Sequence, residues 1–171
     1  MKLRIVSDSG AELQTAHEVR IPGWTEERFF AETREAGICG AIVPDIPPEE
    51  GESFMAAATA NNIDPIFILA PTSSSERINY LARFGRGFFY CVARKGVTGA
   101  KTDFSSELNK FLDRCRGATQ LPLALGFGVS SKEDVQFLRG KVEIAVVGSQ
   151  AIRLLNTNGT KAVGDFFGNL R

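Results

Sequence analysis

Histidine is nearly missing from this chain: His17 is the only imidazole among 171 residues. One histidine and three scattered cysteines, Cys39, Cys91 and Cys115, cannot make a Cys/His zinc pattern, so no metal is expected. The odd, dispersed thiols argue against a disulfide framework and for a reducing compartment, with a cytoplasmic location as the expectation. A Ser-His-Asp triad would have to use His17, and no Gly-x-Ser-x-Gly turn occurs. Excess charge is lacking as well: 20 Lys and Arg balance 20 Asp and Glu. That excludes a strongly basic nucleic-acid binder, whose phosphate contacts need surplus cations. No apolar run approaches the ~18–20 residues that span a bilayer, and residues 1–8 lack the long apolar stretch of a signal peptide. No membrane partner is expected. Core-forming residues are plentiful: 13 Phe and 43% hydrophobic residues overall, in a length that suits one domain by the prior of roughly 100–200 residues.

From Trp24 onward, short apolar runs alternate with helical patterns. The runs are residues 40–43, 65–69, 87–92, 121–125 and 143–147. Each is a few residues long and apolar almost throughout, as in strands buried on both faces. Their spacing leaves room for one helix between neighbours, the connection that parallel strands require. Phe29, Phe30, Thr33 and Ala36 form an inward stripe that stops before Gly37, and a helix is expected over 49–61. Ser73 and Glu76 bracket a capping box ahead of Ile78, Leu81 and Ala82. Leu108, Phe111, Leu112 and Cys115 fall at i, i+3, i+4 and i+7, with Gly117 past the helix end. Ser130 and Glu133 bracket a second box before Val135 and Leu138, and two last helices are expected over 151–155 and 161–170. Residues 1–23 read as a separate, divergent segment: a strand over 2–6, a short helix over 11–19, and a break at Pro22-Gly23. The regular alternation over 24–171 predicts an α/β fold with a parallel sheet.

Parallel α/β folds bind ligands outside the C-terminal ends of their strands. Here those ends carry Pro44-Asp45-Ile46-Pro47, Ala70-Pro71-Thr72, residues 94–100, Gly126-Phe127-Gly128 and Gly148-Ser149. Gly148-Ser149 opens a helical stretch, and helix-start N–H groups with a serine hydroxyl suit an anion. In (β/α)₈ barrels, phosphate commonly sits at the last two strand ends, beside a short extra helix. The alternative is that these glycines only make tight βα turns. Asp45 has the place of a general acid or base, but a lone carboxylate more often bonds loop backbone or caps a helix. Tyr90 and Phe127 read either as core or as the border of an apolar ligand, and Arg94-Lys95 as the start of a loop.

The stretches Val43-Pro44-Asp45-Ile46-Pro47-Pro48-Glu49-Glu50, Gly96-Val97-Thr98-Gly99-Ala100, Gly126-Phe127-Gly128-Val129-Ser130 and Gly148-Ser149-Gln150-Ala151-Ile152 occur in this order. Together they resemble the tryptophan synthase α subunit family over about residues 25–171. The resemblance implies a partial (β/α)₈ TIM barrel of about five parallel strands, corresponding to strands four to eight, with the N-terminal strands missing or replaced. It implies a lyase of tryptophan (aromatic amino acid) biosynthesis that cleaves indole-3-glycerol phosphate to indole and glyceraldehyde 3-phosphate. The implied partner is a β subunit in a heterotetramer; that subunit holds pyridoxal phosphate, and the α chain itself has no cofactor. By motif, Gly99, Gly128, Gly148 and Ser149 would bind the substrate phosphate. Ile68, Tyr90 and Phe127 would line the indole pocket, Thr98 would sit on the closing loop, and Asp45 would organise the loop near the β-subunit contact.

The resemblance stops short of the chemistry. The family's catalytic glutamate and aspartate lie near its second strand, in a Glu-Leu-Gly stretch with no counterpart here. No catalytic residue is therefore identified, and the chain alone is expected to be weak or inactive. Five strands also leave a barrel edge open. The other reading is a non-catalytic remnant or binding module that engages a β subunit or a complementing half-barrel. Indole-glycerol-phosphate synthase ranks last, because its strand lysines are absent from the apolar runs.

Overall fold

A computed structural model describes residues 25–92, 106–126 and 128–170, with the backbone of two strands at 3–6 and 12–16. The elements are β1 (Leu3–Val6), β2 (Glu12–Ala16), α1 (Glu26–Glu35), β3 (Gly40–Ile42), α2 (Glu52–Ala60), β4 (Asp64–Pro65), β5 (Ile68–Leu69), α3 (Ser75–Leu81), β6 (Phe89–Val92), α4 (Ser106–Ala118), β7 (Leu123–Gly126), α5 (Lys132–Leu138), β8 (Ile144–Ala145) and α6 (Ser149–Leu170). This is the expected α/β alternation, with parallel pairing where the register is resolved between strands of the repeat. The strands fall into two sheets, ordered β2-β1-β3-β4 and β5-β6-β7-β8. Contacts divide the chain into two units, Met1–Ile68 with Tyr80–Phe89, and Leu69–Asn79 with Tyr90–Arg171.

The first unit is built on phenylalanine. Thr25 caps α1 by accepting the Arg28 N–H, Glu26 and Glu27 favour the positive helix start, and Gly37 at φ 79° ends it. The helix buries Phe29, Phe30 and Thr33, while Ala36, expected in the same stripe, is exposed at the C-cap. The Thr33 hydroxyl donates to the Phe29 carbonyl at 2.7 Å, so its burial leaves no polar atom unpaired. Phe30 stands edge-on to Phe29 and to Phe54 of α2, with centroids 5.0 and 4.9 Å away. With Ala57, Ala58, Ile63, Ala41 and Val43 they close one cluster; truncating a fully buried Phe to Ala would cost about 3–5 kcal/mol.

Two expectations change at the N-terminal side. Residues 12–16 are a strand, not part of a helix, and pair antiparallel with β1, Ile5 opposite Leu13. Ladder hydrogen bonds outweigh a weak local helical preference in so short a segment. β1 in turn pairs antiparallel with β3, Ile5 opposite Ala41, so that edge of β3 is occupied. The apolar run 65–69 divides: Asp64–Pro65 pairs with β3, and Ile68–Leu69 begins the second sheet. Pro65 has no N–H to give a further neighbour, which suits β4's place at the end of its sheet.

In the second unit the four α4 residues named from the sequence are all buried, but the helix runs through Gly117 to Ala118. Leu123, Ala124 and Leu125 of β7 are wholly buried, as a strand covered on both faces should be. β6 alternates instead, and β8 is exposed at both residues. Both helix caps shift by one residue, and only the second is a full box. Ser74, not Ser73, accepts a helix N–H, from Arg77. Ser131 and Asp134 form the box of α5. The two last helices form one span broken at Gly159, whose φ of 76° and ψ of −178° only glycine adopts without strain. Gly159→Ala is expected to lower unfolding stability by about 1–3 kcal/mol, read from the denaturant midpoint; an unchanged midpoint would contradict the break.

Candidate functional site

The second unit gathers its candidates at one end of a sheet. β7 and β8 run parallel with Ala124 opposite Ile144 and Leu125 opposite Ala145, so the loops that follow them leave from neighbouring strand ends. β7 passes into Gly128, half-buried at φ 101°. That backbone favours glycine whatever else the loop does. Three bonds fix the following turn: the Asp134 carboxylate accepts the N–H groups of Ser130 and Ser131 at 2.8 and 2.9 Å and the Ser130 hydroxyl at 3.1 Å.

After β8, the Val146 N–H donates to the Leu125 carbonyl at 2.8 Å, and the Gly148 carbonyl accepts the Ile152 N–H at 3.2 Å. Gly148 thus sits at the cap of α6, and exposed Ser149 is its first residue. The first N–H groups of a helix have no acceptor within the helix. A β-carbon built at Gly148 would meet no atom within 4 Å, and Gly148 is not among the glycines at positive φ. Neither packing nor backbone conformation demands glycine there.

Tyr90 is half-buried on β6, the strand beside β7. A β-carbon at Gly126 would collide with the Tyr90 hydroxyl, so this glycine makes room for the phenol. Ile68, half-buried on β5, and Asp45, exposed in the turn after β3, belong to the first unit. The Ile46 N–H bonds the Val43 carbonyl across that turn at 3.4 Å. Thr98, Gly99 and Phe127 lie outside the described residues. Among the described residues, no three His, Cys, Asp or Glu side chains gather as a metal-ligand set, and no helix is long and apolar enough to cross a membrane.

Sequence reasoning passed over one polar cluster at the other end of these strands. Arg116 Nη2 donates to both oxygens of Glu143 at 2.7 Å, and its Nη1 donates to the Leu121 carbonyl at 3.3 Å. Glu143 also accepts the Leu123 N–H at 2.8 Å. Burial works against the charged form of Glu143, but the Arg116 hydrogen bond, the Leu123 N–H and the Arg116 charge together hold its carboxyl below the ordinary glutamate range. A charge heading an otherwise apolar strand was the available signal. Nearby in the same unit, Cys91 and Cys115 are both buried. The Cys115 thiol and burial raise the Cys91 pKa, which leaves this thiol protonated and unreactive.

Parallel βα units with glycine-bearing strand ends and a helix opening at the last of them define a protein of the (β/α)-barrel class. The sequence profile described as tryptophan synthase alpha chain matches residues 19–165. The tryptophan synthase alpha chain of Syntrophotalea carbinolica is 54% identical over 145 residues, covering 85% of this chain and 57% of the relative. That of Desulfotalea psychrophila is 54% identical over 146 residues, covering 85% and 58%. The chain therefore spans somewhat over half the length of these relatives. A Mycobacterium tuberculosis tryptophan synthase structure superposes with a TM-score of 0.78 at 29% identity, covering 85% of this chain and 55% of that one. A chain of the tryptophan synthase α2β2 complex of Pyrococcus furiosus gives 0.73 at 28%, covering 85% and 59%. The chain belongs to the tryptophan synthase alpha chain family.

Because the folded pKa of Glu143 lies below its unfolded value, its contribution is complete above the unfolded value and is lost as pH falls through the folded one. Between about pH 6 and pH 3, Glu143→Gln is expected to lose less stability than the parent chain. The difference should stay under about 1 kcal/mol, because the pair is partly solvated. Parallel acid limbs in the two unfolding curves would contradict this.

Proposed function

We propose that the chain holds the phosphate end of indole-3-glycerol phosphate at the β7 and β8 strand ends, with Gly128, Gly148 and Ser149 as donors and Gly99 as a further donor by the family motif. The carrying observation is Gly148: it caps the helix that opens at the end of β8, it is exposed, and among the described residues neither packing nor a positive φ requires the absence of its side chain. A close-packed oxyanion supplies the missing reason, because backbone N–H groups at a helix start bond phosphate best where no β-carbon intervenes. This favours phosphate over the tight-turn reading at Gly148. At Gly128 the positive φ is reason enough for glycine, so that residue does not decide between the two.

Tyr90 and Phe127 border the indole in this reading, Ile68 is a further apolar residue of the indole pocket by the family motif alone, and Thr98 belongs by motif to the loop that closes over substrate. Asp45 organises its own turn near a β-subunit contact rather than moving protons. The family's reaction is a lyase step of tryptophan biosynthesis, in the cytoplasm. A proton goes to the ring carbon, the bond between the indole ring and the glycerol side chain breaks, its electron pair returning to the ring, and the adjacent hydroxyl loses its proton to become the aldehyde; a ring N–H proton given up on the way is regained as the bond breaks. Two carboxylates with separated pKa values serve that exchange, and the stretch that bears them in the family has no counterpart here. The chain orients substrate but does not turn it over efficiently. No cofactor belongs to it, and pyridoxal phosphate belongs to the β subunit of the heterotetramer.

Residues 1–23 form a divergent segment ahead of the βα repeat. The antiparallel β1–β2 pair supports that division, and the profile match, beginning at residue 19, overlaps its last residues. One observation favours a second reading, in which the chain is a binding module for a complementing half-barrel: β8 ends its sheet with Ile144 38% exposed.

Indole release from indole-3-glycerol phosphate tests the catalytic claim. The purified chain is expected to run at least about a hundredfold below a full-length family member, the loss that follows from removing acid–base groups. A rate near that of the full-length enzyme would overturn it.

A further inference from the structure

The phosphate donors sit on two strands, and something must hold those strands in register. β8 has little apolar means to do so: two ladder residues, Ile144 and Ala145, both exposed. Beside the ladder that pairs Ala124 with Ile144 and Leu125 with Ala145, its flanks bond β7 through Glu143 N–H to the Leu123 carbonyl, 3.1 Å, and Val146 N–H to the Leu125 carbonyl, 2.8 Å. At the head of the ladder a side chain takes over. The Leu123 N–H, on a residue with no exposed surface, donates to the Glu143 carboxylate at 2.8 Å. The same carboxylate receives Arg116 from α4 on both oxygens, and Arg116 also bonds the Leu121 carbonyl in the lead-in to β7. One carboxylate thus joins the crossover helix, the strand it feeds and the next strand.

We infer that Glu143, clamped by Arg116, is a positioning residue for the phosphate site: it sets the β7–β8 register and with it the separation of Gly128 from Gly148 and Ser149. A slip of one residue would turn Ile144 and Ala145 to opposite faces. A slip of two would move Gly148 along the strand by about 6–7 Å, well beyond the ~3 Å reach of a hydrogen bond. A slip of either kind also strands the buried Leu123 N–H, because the Glu143 carboxylate moves away with its strand. The clamp lies at the N-terminal end of the strands, so it touches no ligand and acts only through the ladder. The inference rests on the phosphate reading above.

The test uses the full chain with glycerol 3-phosphate as probe. Affinity is measured by titration calorimetry, and amide exchange is followed at Val146, in the ladder, and at Ile63, which bonds Ala58 in the first unit. Glu143→Gln is expected to weaken glycerol 3-phosphate by about three- to tenfold, a modest loss because the pair is partly solvated. It should speed exchange at Val146 and leave Ile63 unchanged. Arg116→Lys, which keeps the cation but not the two-oxygen grip, should fall between parent and Glu143→Gln. If the parent chain binds and Glu143→Gln binds equally well, the inference is overturned and the phosphate reading stands. Equal acceleration at Val146 and Ile63 also overturns it, by marking a general loss of fold. A parent chain that does not bind glycerol 3-phosphate overturns the phosphate reading itself and the inference with it.

Discussion

The parallel ladder between β7 and β8 is the contact on which the functional reading turns. It joins a strand with every residue buried to one with every residue exposed. β7 is buried along its whole length, and α4 buries Phe111 and Leu112 in the same unit. β8 is held by β7. Whatever the loops after these strands do, their spacing is inherited from the short β7–β8 ladder, its flanking backbone bonds and the carboxylate of Glu143. Rigid strands that carry mobile chemistry at their ends are the general device of this fold class. Here the device is asymmetric, with a firm strand steering a weakly buried one.

The first unit solves a different problem. Its parallel pair, β3 and β4, is too short to stand alone, and aromatic packing from α1 and α2 gives it one covered face through the Phe29–Phe30–Phe54 cluster. The far edge of β3 is met by β1, which runs against the direction of the repeat. An antiparallel neighbour satisfies the same N–H and C=O groups as a parallel one. β1 therefore extends the sheet beyond β3 without continuing its parallel winding.

Much of this was legible in the residues. The four-residue stripe of α4 and the apolar run of β7 point to burial because their periods match a helix and a two-faced strand, and both are buried. The division of 65–69 between two sheets was not legible, because a continuous apolar run does not say which neighbours it will find. The starts of α3 and α5 were located within one residue, while α2 begins at Glu52 rather than at 49 and α6 at Ser149 rather than at 151; the choice of Ser74 over Ser73 and of Asp134 over Glu133 depends on where the chain turns. Residues 12–16 failed for a related reason: their pairing with β1 is a non-local contact that weak helical periodicity cannot reveal. At the candidate site, glycine positions were visible in the sequence, while the distinction between Gly128, needed for its φ, and Gly148, needed for nothing internal, required the backbone. The Arg116–Glu143 clamp went unseen because its partners are 27 positions apart.

The central claim, a phosphate cradle at the ends of β7 and β8, is most directly tested by following backbone amide resonances during a titration with glycerol 3-phosphate. The account requires saturable shifts at Gly128 and from Gly148 through Ile152, and none at Gly40 or Gly51 of the first unit. Shifts that are absent from the Gly148–Ile152 amides, or spread evenly over the chain, would contradict it.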